Sequence, residues 1–113
     1  MNTTSTGRRA EDAAARYLIR QGYSIVQQNW RTRWCEIDLV AVKGGAVSLV
    51  EVKYRRSNSW GVGLDYVTPL KQKQMAFAAE FWMTVHDWSG PCYLAAIEVS
   101  GPKFEVTEFI PEI

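Results

Sequence analysis

The stretch "CEIDLVAVKGGAVSLVEVKYRR", residues 35–56, decides how the chain is read. It holds two runs rich in Val, Leu and Ile on either side of Gly44-Gly45, a pair that favours the left-handed conformations of a tight hairpin turn. Yet Glu36, Asp38, Glu51 and Lys53 interrupt those runs. With Gly44-Gly45 as a two-residue turn, Lys43 faces Ala46, and Val42 then pairs with Val47, Val40 with Leu49, Asp38 with Glu51 and Glu36 with Lys53. Side chains alternate across a strand, so this register puts all eight of these paired residues on one face of the hairpin.

Asp38 and Glu51 thereby become direct neighbours, with Cβ atoms about 4.5–5.5 Å apart, and like charges so placed repel. The pair is tolerated if one carboxyl is protonated, if both are solvated, or if a cation sits between them, and a divalent metal gives both a use. Two carboxylates can hold Mg²⁺ or Mn²⁺, which polarises a phosphodiester and helps to activate water. Lys53 can orient that water or stabilise charge developing on the phosphate. The alternative is a solvated sheet end at which Lys53 pairs with Glu36 or Glu51.

Working outward, Ala10, Ala13, Ala14, Tyr17 and Leu18 recur at helical spacing from Gly7 to Gln21, with Gly22 as the stop. Glu11 stands on or beside that apolar side, either as a further ligand or water contact or as an acid favoured near a helix start. Residues 23–30 read as a strand, 55–67 as a polar loop, and Thr68-Pro69 as the N-cap and first turn of a helix running to Val85. Two more strands, "CYLAAIEVS" and "FEVTEF", follow on either side of Gly101-Pro102. The order α-β-β-β-α-β-β over residues 1–113 predicts a single α/β domain, a sheet with helices packed on it, with 1–6 as a flexible N-terminus.

Composition narrows the classes. The 113 residues are 47% hydrophobic and 22% charged, which suits one domain with its own core. No run is long enough to span a bilayer and the N-terminus lacks the apolar stretch of a signal peptide, so the expectation is a cytoplasmic protein without a membrane partner. Cys35 and Cys92, both in strand-like segments, read as buried reduced thiols. A lone His86 near a helix end makes a zinc site unexpected. Residues 1–73 hold 12 Lys/Arg against 6 Asp/Glu, a net +6, whereas residues 74–113 hold 1 against 6, a net −5. The basic part is compatible with a polyanion.

Glu11 on the first helix, Asp38 in the sheet and Glu51-x-Lys53 on the next strand resemble the PD-(D/E)xK nuclease superfamily, including archaeal Holliday-junction resolvases. "GRRAEDAAARYLIRQGYSIVQQNWRTRWCEIDLVAV" (7–42), "LVEVKYRR" (49–56) and "VTPLKQKQM" (67–75) resemble the YraN family of small bacterial proteins with an endonuclease-like fold. The likeness is close over 7–85 and looser beyond. Cys35 stands where that pattern usually has Gly, Tyr54 where Thr is common, and Ala95 where Asp is common.

The resemblance implies a restriction-endonuclease-like fold with a central mixed sheet. It implies a catalytic set of Glu11, Asp38, Glu51, Lys53 and Gln72, with Mg²⁺ or Mn²⁺ held by Asp38, Glu51 and Glu11, and a homodimer is plausible from the resolvases. Gln72 is otherwise a helix-surface residue. The nucleic-acid partner, DNA in the first instance, would be met by Arg8, Arg9, Arg31, Arg33, Arg55 and Arg56 at its phosphates, while Trp34, Trp60 and Tyr66 can stack on unpaired bases or pack in the core. Phe77, Phe81 and Trp82 read as core or dimer contacts. The leading expectation is a Mg²⁺-dependent nuclease acting on DNA, including branched DNA. The alternatives are a noncatalytic nucleic-acid-binding module on the same scaffold and a protein interaction or assembly module.

Overall fold

The hairpin forms in the expected register. In the computed structural model, which describes residues 3–56 and 65–113, β2 (Glu36–Lys43) and β3 (Ala46–Arg55) pair antiparallel with Lys43 opposite Ala46, Val42 opposite Val47 and Val40 opposite Leu49. Gly44 and Gly45 have φ of 60° and 79°, the left-handed pair that a two-residue turn between right-twisted strands needs. The ladder ends at Leu39 opposite Val50, so the expected pairs Asp38–Glu51 and Glu36–Lys53 are not part of it.

β1 (Ser24–Arg31) adds antiparallel to β2. Beyond β3 the chain crosses over through α2 (Pro69–Val85), so that β4 (Cys92–Ser100) pairs parallel with β3, and β5 (Glu105–Ile110) closes the edge antiparallel to β4. The result is a five-stranded mixed sheet in sequential order. Element order is as the sequence predicts.

Each face carries a helix. α1 (Thr3–Arg20) touches all five strands and buries Ala10, Ala13, Ala14, Ala15 and Leu18 against Leu39, Ala41, Val50, Ala95, Ile97 and Val99. α2 covers the other face, where Ala78, Ala79 and Trp82 meet Ile37, Val40, Val47 and Leu49. Small residues on α1 let the helix lie close to the strands.

α1 stops as its sequence dictates. Gly22, at φ 97°, donates to the Ile19 carbonyl and Tyr23 to the Leu18 carbonyl, a Schellman pair that satisfies the last turn. Its start lies earlier than Gly7, because Thr3 to Thr6, expected to be flexible, already belong to the helix. Thr68 caps α2, its hydroxyl accepting from the Lys71 amide at 3.1 Å. His86 ends that helix, its Nδ1 2.9 Å from the Trp82 carbonyl and its ring stacked on Trp82.

Four details differ from the sequence reading. Ile37 joins the α2-side cluster with Val40 although Leu39 lies on the α1 side, so strict alternation fails around Asp38. The facing residue of β1, Asn29, adopts a left-handed φ of 56° and drops out of the pairing between Gln28–Leu39 and Trp30–Ile37, while the register shift of this ladder lies between Ile25 and Gln27. Glu36, whose ladder partner on β1 is Arg31, pairs with it at 3.6 Å rather than with Lys53. Both cysteines are free but only half-buried, and Cys35 sits in the turn before β2. Most of the loop read over 55–67, with Trp60, lies outside the described residues. Among the described residues no helix is long and apolar enough to cross a membrane.

Candidate functional site

Where the β2–β3 ladder stops, a side chain takes over from the backbone. Asp38 Oδ2 accepts from the Val52 amide at 2.8 Å, so the carboxylate is aimed at β3 beside Glu51. The arrangement follows from the local sequence: the Asn29 distortion releases the end of β2, and a short acidic side chain is what can reach an amide across the gap.

The electrostatics are unfavourable to ionisation. Burial, then the Glu51 charge, push Asp38 up to about 7, and Glu11 and Glu36 add to the effect, while the Val52 amide works against it. Glu11, half-buried on the inner side of α1, is also raised, chiefly by burial and against the pull of Arg31 and Arg8. Glu51 is held by α2, with Lys71 Nζ 3.1 Å from its Oε2. Helix α1, strands β2 and β3 and helix α2 therefore each contribute a charged group to one end of the sheet.

Lys53 is exposed, with its Nζ 5.9 Å from the centre of the Tyr66 ring. It makes no ion pair among the described residues. Tyr66 in turn donates to the Ile97 carbonyl at 3.4 Å, and burial together with Glu51, Glu98 and Asp38 raises its hydroxyl, which stays neutral. Gln72 is exposed and its amide donates to the Val67 carbonyl at 3.3 Å, away from the carboxylates. Its neighbour Lys71 is the α2 residue that reaches them.

The arginines divide. Arg8 and Arg31 act on Glu11, and Arg31 also donates to Asn29 Oδ1 at 2.8 Å. The Arg33 guanidinium lies 5.4 Å from the centre of the Trp34 ring. Arg9 stacks over Phe104 at 4.4 Å, and Arg55 engages the buried Glu98 and Asp65. Arg56 is exposed. Arg8 and Arg31 thus border the carboxylates, whereas Arg9, Arg33 and Arg55 are turned to other partners.

Oxygen donors alone, with neither imidazole nor thiol, form the set that suits Mg²⁺ or Mn²⁺. Among the described residues no group of three His, Cys, Asp or Glu stands close enough to form a finished cage. Mg²⁺ does not need one, because it is commonly bound through one or two carboxylates with waters and substrate phosphate completing the shell. Asp38 and Glu51 fit that mode.

The profile of a family described as "Uncharacterised protein family UPF0102" matches residues 10–108. The chain belongs to this family. It is 41% identical over 98 residues to a UPF0102 protein of Clavibacter michiganensis, covering 86% of this chain and 83% of the relative. A UPF0102 protein of Chlorobium chlorochromatii is 40% identical over 99 residues, 88% and 77% of the two chains, and one of Geobacter sulfurreducens is 47% identical over 78 residues, 69% and 61%. This is the family reached above, as YraN, from the residues around Glu11, Asp38 and Glu51. The UPF0102 match takes in Glu11, Asp38, Glu51, Lys53 and Lys71 and stops short of Arg8 and Arg9.

Sequence reasoning did not find Lys71 or the partner of Arg55. Lys71 was legible: it precedes Met75, Ala78 and Trp82 at helical spacing and so continues the buried stripe of α2 by one turn. Glu98 was not, because an acid within "CYLAAIEVS" carries no local mark of its partner on β3.

Proposed function

We propose that the chain is a metal-dependent nuclease on a restriction-endonuclease-like scaffold, hydrolysing phosphodiester bonds in DNA. The observation that carries this reading is the pairing of Asp38, directed into β3 at the Val52 amide, with Glu51 next to it and Glu11 across from α1. Burial and the neighbouring Glu51 charge hold Asp38 back from ionising, and burial raises Glu11 as well.

Asp38 and Glu51 would hold Mg²⁺ or Mn²⁺, which when bound polarises the phosphate and lowers the pKa of a water molecule. Asp38 must lose its proton to serve, and the Val52 amide favours its charged form. Lys53, free of carboxylate partners among the described residues, presents an ammonium on the strand that carries Glu51. Such a group orients the attacking water and offsets charge growing on the phosphoryl oxygens. Glu11 accepts a hydrogen bond from water on the α1 side. Arg8 and Arg31 border this end and supply sequence-independent phosphate contacts.

The noncatalytic binding module is supported by one observation, the Lys71–Glu51 ion pair, which already gives Glu51 a cation. Calorimetric titration with Mg²⁺ and Mn²⁺, on the wild type and Asp38→Ala, followed by a cleavage screen on branched and single-stranded DNA, separates the two. Metal binding that disappears in Asp38→Ala, with metal-dependent cleavage, is the expected result. Absence of metal binding in the wild type, with or without nucleic acid, overturns the nuclease reading in favour of the binding module.

A further inference from the structure

Beside the carboxylates lies a cleft of about 430 Å³ between the β1–β2 turn and the start of α2. That volume falls in the range of about 300–1,000 Å³ typical of small-ligand clefts. Trp34 and Phe77 form an apolar wall, Met75 contributes to the lining, Lys71 and Lys73 supply positive charge, and Glu36 and Glu51 are its acids, Glu51 joining the cleft to the site described above.

Trp34 is 64% exposed and Phe77 52% exposed, although each is large and apolar. Trp34 is nevertheless held in place. Thr32 Oγ1 accepts from the Trp34 amide at 3.0 Å and from the Cys35 amide at 3.1 Å, and the Thr32 amide donates to the Cys35 carbonyl at 2.9 Å. Phe81 supports the indole at 5.6 Å between ring centres, and Phe77 in turn packs on Phe81. The turn therefore presents a preorganised flat aromatic surface to solvent, with the Arg33 guanidinium against it.

An aromatic surface next to ammonium groups is the combination that binds a nucleobase by its face and the adjoining backbone by its phosphates. A base within a duplex has both faces covered by its neighbours and cannot use it. Charge argues against an apolar peptide in this cleft, since Lys71, Lys73 and Glu51 would be desolvated by it.

We propose that the cleft takes one unpaired nucleobase of a single-stranded or splayed nucleic acid, stacked on Trp34, with flanking phosphates at Lys71 and Lys73. Resting on the nucleic-acid reading above, this makes unpaired strands the substrate class and makes Trp34 a specificity-determining residue. Lys71 would exchange Glu51 for a phosphate as the strand enters.

Binding is measured in EDTA on an Asp38→Asn background, so that cleavage plays no part. The probes are labelled oligothymidylate of about 15 nucleotides, near the upper end of ordinary single-strand sites, and a duplex of equal length. The expected result is tighter binding of the single strand, by about tenfold, and loss of about that factor in Trp34→Ala with duplex binding unchanged. Trp34→Tyr should restore most of the loss and Trp34→Leu should not, a pair that remains informative if the alanine variant disturbs the turn. Lys71→Gln and Lys73→Gln should each flatten the salt dependence, by about 0.7 in log–log slope for each phosphate that is no longer neutralised. Equal affinity for both probes, or equal behaviour of the tyrosine and leucine variants, overturns the proposal. So does sedimentation in which Trp34→Ala converts a dimer to a monomer, since the wall is then an interface between copies. A wild type that binds single strands through Trp34 but never cleaves leaves this inference standing and removes the nuclease reading; cleavage indifferent to Trp34 does the reverse.

Discussion

β3 contributes to two charged clusters that the chain treats in opposite ways. On the β4 side, Glu98 is 3% exposed, yet each of its oxygens has a donor: Arg55 Nε on one, the Thr107 hydroxyl at 2.9 Å on the other. The other arm of Arg55 reaches Asp65. On the β2 side, Asp38 feels the charges of Glu51, Glu11 and Glu36, and none of these is a counter-ion for it. Neutralising a buried carboxylate is evidently within this chain's means. At Asp38 it does not do so, which is the feature on which the proposed metal site rests.

Breaking the neutral cluster should have the largest effect. Arg55→Met leaves Glu98 buried without its cation, a situation that costs about 3–5 kcal/mol. Urea unfolding should show that loss, and Arg55→Met combined with Glu98→Leu should recover a large share of it, because the double change removes both charges. A single variant as stable as the wild type would mean that Glu98 is wet, and the contrast between the clusters would collapse.

The acidic cluster should respond with the opposite sign. A carboxyl whose folded pKa lies near 7 rather than 3.8 binds its proton more tightly in the folded state, so its contribution is full below about pH 4 and is lost as pH rises through 7. Asp38→Asn, which keeps an oxygen for the Val52 amide, should therefore stabilise the fold by about 2 kcal/mol at pH 8 and by little near pH 4. Thermal unfolding at the two pH values checks this. The same proton competes with metal: Mg²⁺ affinity in the wild type should rise about tenfold from pH 6 to pH 8 and then level off, as titration calorimetry would record. A flat profile would mean that Asp38 is not a ligand.

These contrasts also separate what could be read from the sequence from what could not. The Gly44-Gly45 turn fixes a register by local chemistry as far as Leu39 opposite Val50, and Asp38 beyond it meets β3 through its side chain, at the Val52 amide. Helix limits at Gly22 and Thr68 are legible for the same reason, since capping acts within a few residues. Extending the alternation to Glu36 and Lys53 fails because the β2–β3 ladder stops at Leu39–Val50, where β1 across from Asp38 carries the left-handed Asn29, and Glu36 pairs with Arg31. Nothing in residues 35–56 announces that end of the ladder. Likewise the Arg55–Glu98 pair joins residues brought together only by the parallel β3–β4 pairing, and Gln72 yields to Lys71 because a shift of one position turns a helical side chain by about 100°.

The smallest effect concerns Lys71, the cation that α2 offers to Glu51. Both side chains are partly exposed, so the pair contributes no more than about 1 kcal/mol, and Lys71→Met should barely change stability. Its influence on ligands should be clearer and of two signs. With the ammonium gone, Glu51 is free of its competitor, and Mg²⁺ should bind a few-fold tighter in the absence of nucleic acid. In the presence of single-stranded DNA the phosphate left without its ammonium should weaken strand binding instead. Titration of the same variant with each ligand in turn reads both effects. Weaker metal binding in both settings would show Lys71 to be a scaffold residue that merely holds Glu51 in position, and the acidic cluster would then resemble the neutral one more closely than its geometry suggests.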